Sequence, residues 1–476
     1  MVMSKRILLA IAIFSGINLK AQPIKPIGPT PTKQQLVWHD MEFYLFIHFG
    51  PNTFSDLEWG HGTEDPNTFN PTELDCNQWA RVAKQAGAKG IIITAKHHDG
   101  FCLWPSNFSK HTVRESKWRD GKGDVVRELS NACKANGLRF GIYVSPWDRN
   151  HPKYGTPEYN AVYIETMKEL IGKYGPIFEL WWDGANGEGP NGKKQVYDFA
   201  LFEKTVRRIA PNTVVFSDIG PDIRWVGNEN GIAATTNWNL LDTAGFKRGN
   251  GAPPQDTLNR GNFNGKNWIP AECDVSIRPG WFYHSKEDDK VKTAQQLMKL
   301  YLQSVGRGAN FLLNVPPDRR GLFHQNDSAA LVEFKRLKDE FYKENLALKA
   351  TATASANRNG YAASNLADGN PRTYWAAPDE NKSATIEIDL KSPRTFNTIV
   401  LQESIEFGQR IISFTVEAWD GAKYNEVVKG TTVGHKRIIQ FRPQQSSKVR
   451  VIIKESKAAP VLNSIELYNA PDYGAN

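Results

Sequence analysis

The sequence predicts an α/β fold, a (β/α)8-type barrel, followed by an all-β sandwich of the jelly-roll kind. In the first two thirds of the 476-residue chain, apolar runs with strand character alternate with helical patterns, which indicates a parallel sheet. About seven such units over roughly 300 residues fit a barrel of this type in number and size. From about residue 348 onward the chain has only short β-type runs separated by turns, which is typical of a β-sandwich.

The barrel strands are predicted from short apolar runs rich in β-branched and aromatic residues. These runs are 42–49, 89–95, 139–145, 178–182, 213–218, 268–275 and 309–315. Helices are predicted where apolar residues recur at helical spacing, at 77–87, 123–137, 157–175, 198–210, 289–305 and 327–346. One barrel strand stays unassigned. An open, doubly wound sheet is the alternative, but HFGPNTF (48–54), after the first strand, lacks the glycine-rich fingerprint expected there.

The second domain is predicted from β-type runs at 384–390, 398–404, 413–419, 436–441 and 448–456. We therefore divide the chain into a signal peptide (1–21), a barrel (22–346) and a β-sandwich (347–476). The connection near residue 346 is short, so we expect the two domains to pack closely.

The first residues have the pattern of a cleaved secretory signal peptide. Lys5 and Arg6 precede the apolar run ILLAIAIF (7–14), and the small Ala21 closes a plausible cleavage site. The run is too short to span a bilayer, and no cysteine that could carry a lipid follows it. We therefore expect a periplasmic or secreted protein without a membrane anchor.

Composition narrows the class of protein. The chain is 40% hydrophobic and 23% charged, as soluble globular proteins are. The net charge of +8 is spread along the chain, without the clustering that a nucleic-acid-binding face needs. The cysteines lack the CxxC spacing of a zinc ribbon, so buried free thiols are favoured, although one or two disulfides are possible. They are Cys76, Cys102, Cys133 and Cys273.

Polar side chains cluster where the predicted strands end. In barrels of this type the reacting groups lie at the C-terminal ends of the strands. The clusters are His48, then His97, His98 and Asp99, then Tyr143, Trp147 and Asp148, and finally Asp183. A single histidine after a strand is more often a core or capping residue, but four clusters at one end of one sheet predict a binding or catalytic site.

Strand alternation predicts where Asp183 points. Side chains two residues apart share a face, so Glu179, Trp181 and Asp183 point the same way. The other face is purely apolar and consists of Phe178, Leu180 and Trp182. The apolar face suits packing against helices, which sends Trp181 and Asp183 into the mouth of the barrel. The alternative, a carboxylate that caps the next helix, is weakened by the glycines that follow.

Two reaction types could use these residues. One is glycoside hydrolysis by a pair of carboxylates, in which tryptophans such as Trp59 and Trp104 could pack against sugar rings. The other is metal-assisted hydrolysis with His97, His98 and Asp99 as ligands. The metal is the weaker option, because no HxH or HxxxH pair occurs among these histidines and two adjacent strand residues face opposite ways.

Six motifs form an ordered set: FIHFG (46–50), EWG (58–60), KHHDGF (96–101), YVSPWD (143–148), FELWWDGA (178–185) and GANFLLNVPPDRRG (308–321). Together they resemble the α-L-fucosidases of glycoside hydrolase family 29, over roughly residues 30–345. The resemblance implies a retaining exo-glycosidase that requires no cofactor for catalysis, with Asp183 as its nucleophile. The expected substrate contacts are His48, His97, His98, Tyr143, Trp181, Glu58, Trp59, Trp104 and Glu272.

The second carboxylate, the general acid and base, has two candidates. DIRWVGNENG (222–231) resembles the branch of the family that prefers α1,3/4-linked fucose on branched Lewis-type glycans, and it points to Glu229. PAECDVSIRPGWFY (270–283) resembles the acid-bearing segment of the other branch and points to Glu272, which implies an α1,2- or broad-specificity enzyme. We favour Glu229. A non-catalytic glycan-binding protein is the remaining alternative.

The segment SNLADGNPRTYWAAPDENKSATIEIDL (364–390) resembles a coagulation-factor 5/8 type C module, which is a galactose-binding-like domain. Such modules often bind terminal sugars, sometimes with a structural calcium ion, and many others only brace a catalytic barrel. Sugar binding, bracing and calcium all stay open here. The expected partners of the whole chain are fucosylated oligosaccharides or glycoconjugates.

Overall fold

The computed structural model describes residues 23–249 and 251–475, so the predicted signal peptide (1–21) lies outside the described residues. The strands of the first domain are β1 (Phe43–Ile47), β2 (Gly90–Lys96), β3 (Arg139–Val144), β4 (Ile177–Trp181), β5 (Val214–Ser217), β6 (Ile223–Trp225), β7 (Leu240–Leu241), β8 (Asn267–Trp268), β9 (Ala271–Ser276) and β10 (Asn310–Asn314). Strands β1 to β6, β9 and β10 form a closed parallel barrel in chain order, and β7 and β8 form a separate antiparallel pair. The predicted barrel is confirmed, and the open sheet is not.

Among the described residues, six helices lie close to their predicted positions, and three short ones were not predicted. The helices are α1 (Lys33–His39), α2 (Pro51–Ser55), α3 (Cys76–Gln85), α4 (Val125–Ala135), α5 (Glu158–Tyr174), α6 (Phe199–Ile209), α7 (Gln255–Arg260), α8 (Ala294–Ser304) and α9 (Gln325–Phe341). Three of them begin at aspartate caps, where Asp75, Asp124 and Asp198 each accept a hydrogen bond from a backbone N–H of the first turn. These caps fix where each helix leaves the loop above the barrel.

Strand β6 is the barrel strand that the sequence pattern left unassigned. It has three residues, and its central residue, Arg224, is charged and fully buried. The guanidinium donates to the backbone oxygens of Leu258 (2.7 Å) and Trp238 (3.1 Å), which compensates its loss of hydration. Long-range partners of this kind leave no signal in a local hydrophobic pattern.

The interior of the barrel is lined by aromatic side chains. Alternation along β4 holds for five of its six predicted side chains: Glu179, Trp181 and Asp183 point inward, and Leu180 and Trp182 pack toward the helices. The exception is Phe178, whose ring contacts Tyr44 inside the barrel at 5.5 Å. The pairing of β3 with β4 shifts its register between Ile177 and Leu180, and this irregularity reverses the expected direction of Phe178.

The second domain is a β-sandwich of antiparallel strands. Its strands are β11 (Thr351–Ala354), β12 (Trp375–Ala376), β13 (Ala384–Glu403), β14 (Ile411–Trp419), β15 (Tyr424–Gly430), β16 (Arg437–Ser456) and β17 (Val461–Tyr468). The predicted runs 384–390 and 398–404 belong to one long strand, β13, which shifts register between Asp389 and Arg394. The exposed residues at this shift made one strand look like two.

The two domains contact each other directly. Gln409 accepts from the backbone N–H of Asn239 (2.8 Å) and donates to the backbone oxygen of Asn237 (2.9 Å). Lys436 of the sandwich forms an ion pair with Glu42 of the barrel. All four cysteines are buried free thiols, as favoured from the sequence. None of the helices in the described residues is long and apolar enough to cross a bilayer.

Candidate active site

A cavity of about 180 Å³ opens at the C-terminal ends of the barrel strands. It is lined by Phe46, His48, Glu58, Trp59, His97, His98, Tyr143, Trp181, Asp183, Ala185, Glu229, Asp274 and Trp281. Most of the residues predicted from the sequence therefore meet at one place. They come from different strands, so the closure of the barrel is what brings them together.

Asp183 follows β4 directly and faces this cavity. Tyr143 donates its hydroxyl to Asp183 Oδ2 at 3.1 Å, and the backbone N–H of Ala185 donates to Oδ1 at 2.7 Å. His98 Nε2 lies 3.9 Å from Oδ2. The side chain is 24% exposed, so the carboxylate is held from both sides and still open to a ligand.

Three histidines form one wall of the cavity and are buried. Burial lowers the pKa of His48 to about 3 despite a hydrogen bond from Nδ1 to Asn314 (2.8 Å). Burial lowers the pKa of His97 well below its ordinary value, and it lowers the pKa of His98 although Asp183 opposes this. At neutral pH the three rings are therefore neutral and can hydrogen-bond hydroxyl groups as donors or acceptors.

The metal-binding set considered from the sequence is not assembled. Asp99 does not line the cavity. Its carboxylate instead accepts from the backbone N–H of Phe101 (2.6 Å) and from the side chain of Asn52 (3.2 Å). Across residues 23–249 and 251–475, no group of three or more His, Cys, Asp and Glu side chains is placed to hold a metal ion. In the described residues, His97, His98 and Asp99 therefore do not come together as the ligand set of the metal-assisted alternative.

Glu58 and Trp59 stand at the rim of the cavity. Glu58 accepts from the backbone N–H groups of Trp281 (2.8 Å) and Phe282 (3.1 Å), and His284 Nε2 lies 2.6 Å away. These contacts fix the carboxylate against the loop after β9. The indole of Trp59 is 55% exposed and meets His98 edge-on at 5.6 Å, so a large aromatic face stays free at the mouth.

Glu229 lies in the loop after β6 and is exposed. Its Oε2 accepts from the indole N–H of Trp281 at 3.2 Å. Glu229 and Asp183 line the same cavity, so two carboxyl groups from different loops flank one pocket.

The sequence did not single out Asp274, Trp281 or Phe46. Asp274 lies on β9 two residues after Glu272, so strand alternation from Glu272 could have found it. Its Oδ1 accepts from the indole N–H of Trp225 at 3.0 Å. Burial, and then the charge of Glu229, raises the pKa of Asp274 well above its ordinary value.

Two predicted substrate contacts lie behind the cavity wall. Trp104 is fully buried, and its indole N–H donates to Glu169 at 3.0 Å in the layer between the barrel and the helices. Glu272 is fully buried inside the barrel, where it accepts from Trp181. Neither lines the cavity, because packing or depth in the barrel turns each away from it. Direct contact of Trp104 and Glu272 with a substrate therefore stays an untested prediction.

Comparisons with family models and known proteins show which family the chain belongs to. The family model described as "Alpha-L-fucosidase" matches residues 29–336, and the model described as "F5/8 type C domain" matches residues 350–467. "Alpha-L-fucosidase 1" of Arabidopsis thaliana is 42% identical over 463 residues, which cover 95% of this chain and 90% of that protein.

Solved structures also match nearly the whole chain, as two examples show. One, a glycoside hydrolase 29 family member from an unknown rumen bacterium, is 41% identical with a TM-score of 0.82 and covers 94% of this chain and 78% of its own. The other, a GH29 fucosidase of Ruminococcus gnavus in complex with fucose, is 31% identical with a TM-score of 0.87 and covers 96% of this chain and 98% of its own. The chain therefore belongs to the α-L-fucosidase family, glycoside hydrolase family 29, and is a glycoside hydrolase with a C-terminal F5/8 type C domain.

Proposed function

We propose that this chain is a retaining exo-α-L-fucosidase, with Asp183 as the nucleophile and Glu229 as the acid and base. The observation that carries the proposal is that these two carboxyl groups line one small cavity. Its volume of about 180 Å³ is smaller than the about 300–1,000 Å³ of pockets that hold drug-sized ligands, which suits a single terminal sugar ring. An open groove would instead suit an enzyme that cuts inside a glycan.

The reaction has two steps. In the first, a carboxylate oxygen of Asp183 bonds to the anomeric carbon while the bond from that carbon to the leaving oxygen breaks, and Glu229 gives its proton to that oxygen. In the second, water bonds to the anomeric carbon, Glu229 takes a proton from the water, and the bond to Asp183 breaks. Two inversions return the original anomer.

The walls of the cavity support this assignment. Neutral His48, His97 and His98 can hydrogen-bond sugar hydroxyls without adding charge. Trp181 lines the cavity close to Asp183, so part of its ring can contact a bound sugar. Tyr143 and the Ala185 N–H hold the nucleophile, so little reorganisation is needed when it attacks.

We also propose a preference for α1,3/4-linked fucose on branched Lewis-type glycans, because Glu229 lies in the segment that resembles that branch. The test is to incubate the protein with a Lewis-type trisaccharide and with an α1,2-fucosylated one and to measure free fucose. Release should be at least about tenfold faster from the Lewis-type substrate. Equal rates would contradict the linkage preference, and binding without release from either would favour a non-catalytic protein.

For the second domain we propose a bracing role. Arg437 donates to the backbone oxygen of Thr235 (2.7 Å), and Thr432 accepts from the backbone N–H of Asn237 (2.9 Å). Both contacts hold the segment that follows Glu229. The described part of this domain has no group of three acidic, histidine or cysteine side chains placed for a metal, so a structural calcium ion stays a prediction.

The position of Trp104 leads to a further prediction. Trp104→Phe should lower the free energy of unfolding by about 1–3 kcal/mol, because it removes a buried donor to Glu169 and some volume. KM for an aryl fucoside should stay unchanged. Urea unfolding measures the free energy of unfolding, and steady-state kinetics measure KM. Trp59→Phe is the matched control, and it should raise KM without loss of stability. A raised KM with unchanged stability in Trp104→Phe would return that residue to the substrate contacts.

A further inference from the structure

Two glutamates lie beside each other inside the barrel, beneath the sugar cavity. Glu179 on β4 and Glu272 on β9 are both fully buried, among aromatic side chains, and neither is paired with a cation in the described part of the chain. Burying two carboxyl groups in such a place is costly unless hydrogen bonds and a shared proton compensate. The proposed reaction uses neither group, so the pair needs another explanation.

The hydrogen bonds assign the charge to Glu272. A tryptophan indole can only donate, and the indole of Trp181 donates to Glu272 Oε1 at 2.8 Å. The hydroxyl of Tyr44 accepts from the indole of Trp38 at 2.8 Å and donates its own proton to Glu272 Oε2. Both oxygens of Glu272 therefore act as acceptors, as those of an ionised carboxylate do.

The proton of the pair belongs to Glu179. Its Oε2 accepts from Trp38 at 3.1 Å, and its carboxyl group is hydrogen-bonded to that of Glu272, which requires a proton on one of the two groups. Burial, and then the charge of Glu272, raises the pKa of Glu179 well above its ordinary value. Burial also raises the pKa of Glu272, to about 7, so above that pH the pair carries one proton, on Glu179, and one negative charge, on Glu272.

The charged member is connected to the cavity through Trp181. The Trp181 ring stacks on Phe216 at 4.0 Å and packs against Tyr143 at 5.3 Å, and Tyr143 donates to Asp183. We propose that Glu272 is a positioning residue that fixes the indole of Trp181, and with it the sugar-binding face beside the nucleophile. This rests on the function proposed above for the cavity.

The test compares two buried carboxyls of which only one holds Trp181. Glu272→Leu should weaken the binding of free fucose, measured by calorimetry, by about tenfold and raise KM by a similar factor. Glu179→Leu is the matched control and should change the fucose affinity less than about twofold, because Trp38 keeps Tyr44 as its acceptor. Glu272→Gln should restore most of the affinity, since its carbonyl oxygen can accept from Trp181.

Two further measurements separate positioning from general loss of structure. In a Trp181→Phe background, Glu272→Leu should weaken fucose binding no further, and an added loss would show that Glu272 does not act through Trp181. If Glu272→Leu does not fold, infrared spectroscopy of the wild type at about pH 8 still tests the pair, because Glu179→Gln should remove one protonated-carboxyl band. An unchanged spectrum overturns the proton assignment.

The outcomes also keep this proposal distinct from the proposed function. A wild-type protein that releases no fucose from either trisaccharide contradicts the proposed function. A wild-type protein that is active, with equal fucose affinity in Glu272→Leu and Glu179→Leu, overturns the positioning role alone.

Discussion

Replacing Asp183 by alanine should lower kcat/KM on an aryl α-L-fucoside by a factor on the order of 10⁴ or more. Without this carboxylate the covalent intermediate of the proposed mechanism cannot form. The fold should survive, because the side chain is partly exposed and Trp181, two residues earlier, is anchored independently by Glu272. Steady-state kinetics and far-ultraviolet circular dichroism measure the two effects on the same preparation.

Asp218 provides the matched control for this variant. Its carboxylate lies so close to Gly184, the residue after Asp183, that a side chain at Gly184 would collide with it. Asp218 nevertheless does not line the cavity. Asp218→Ala should keep kcat/KM within about tenfold of the wild type. Added azide should partly restore turnover of Asp183→Ala and give the fucosyl azide of inverted configuration, because azide then occupies the side of the missing carboxylate. Substantial activity in Asp183→Ala without azide would contradict its role as nucleophile.

The direction of Asp183 could be predicted because it depends on a local rule. Alternation along a strand needs the sequence alone, and it placed Trp181 and Asp183 on the inward face. The same rule failed at Phe178, because a register shift between β3 and β4 changes the side-chain direction there. That shift is a property of two paired strands, and neither strand reveals it by itself.

The depth at which an inward side chain lies within the barrel could not be predicted from the sequence. Alternation sends both Glu272 and Asp274 inward, but only Asp274 reaches the cavity. Which of the two does so depends on register, and Glu272 pairs at the level of Trp225 and Asn310, below the mouth. Strand β6 was missed for a related reason, because the partners that make Arg224 acceptable in a strand lie far away along the chain.

Glu229→Ala should show the behaviour of a lost acid and base. General acid–base catalysis contributes about 10²–10⁴-fold, so kcat/KM should fall by that factor on substrates with poor leaving groups. With an aryl fucoside that has a good leaving group, the rate of the first step should fall less, because the leaving oxygen departs without a proton. Azide should then accelerate the second step and give the fucosyl azide of retained configuration. The configuration of the fucosyl azide therefore distinguishes the acid and base, Glu229, from the nucleophile, Asp183.

Glu188→Ala is the matched control for Glu229→Ala, because Glu188 is another exposed glutamate in a loop above the barrel that does not line the cavity. It should leave both the rate and the azide response unchanged. Glu272→Ala, the rival, should instead raise KM without any azide rescue, since both of its oxygens already accept from Tyr44 and Trp181.

A group that must pass a proton to a leaving oxygen and recover one from water needs contact with both. Glu229 is exposed and lines the cavity, and its Oε2 accepts from the indole of Trp281. Glu272 is sealed beneath Trp181, where a proton could leave only through the aromatic interior. Azide rescue of Glu272→Ala, with none for Glu229→Ala, would mean that the barrel opens during turnover, because only such an opening lets a fully buried carboxyl reach the glycosidic oxygen.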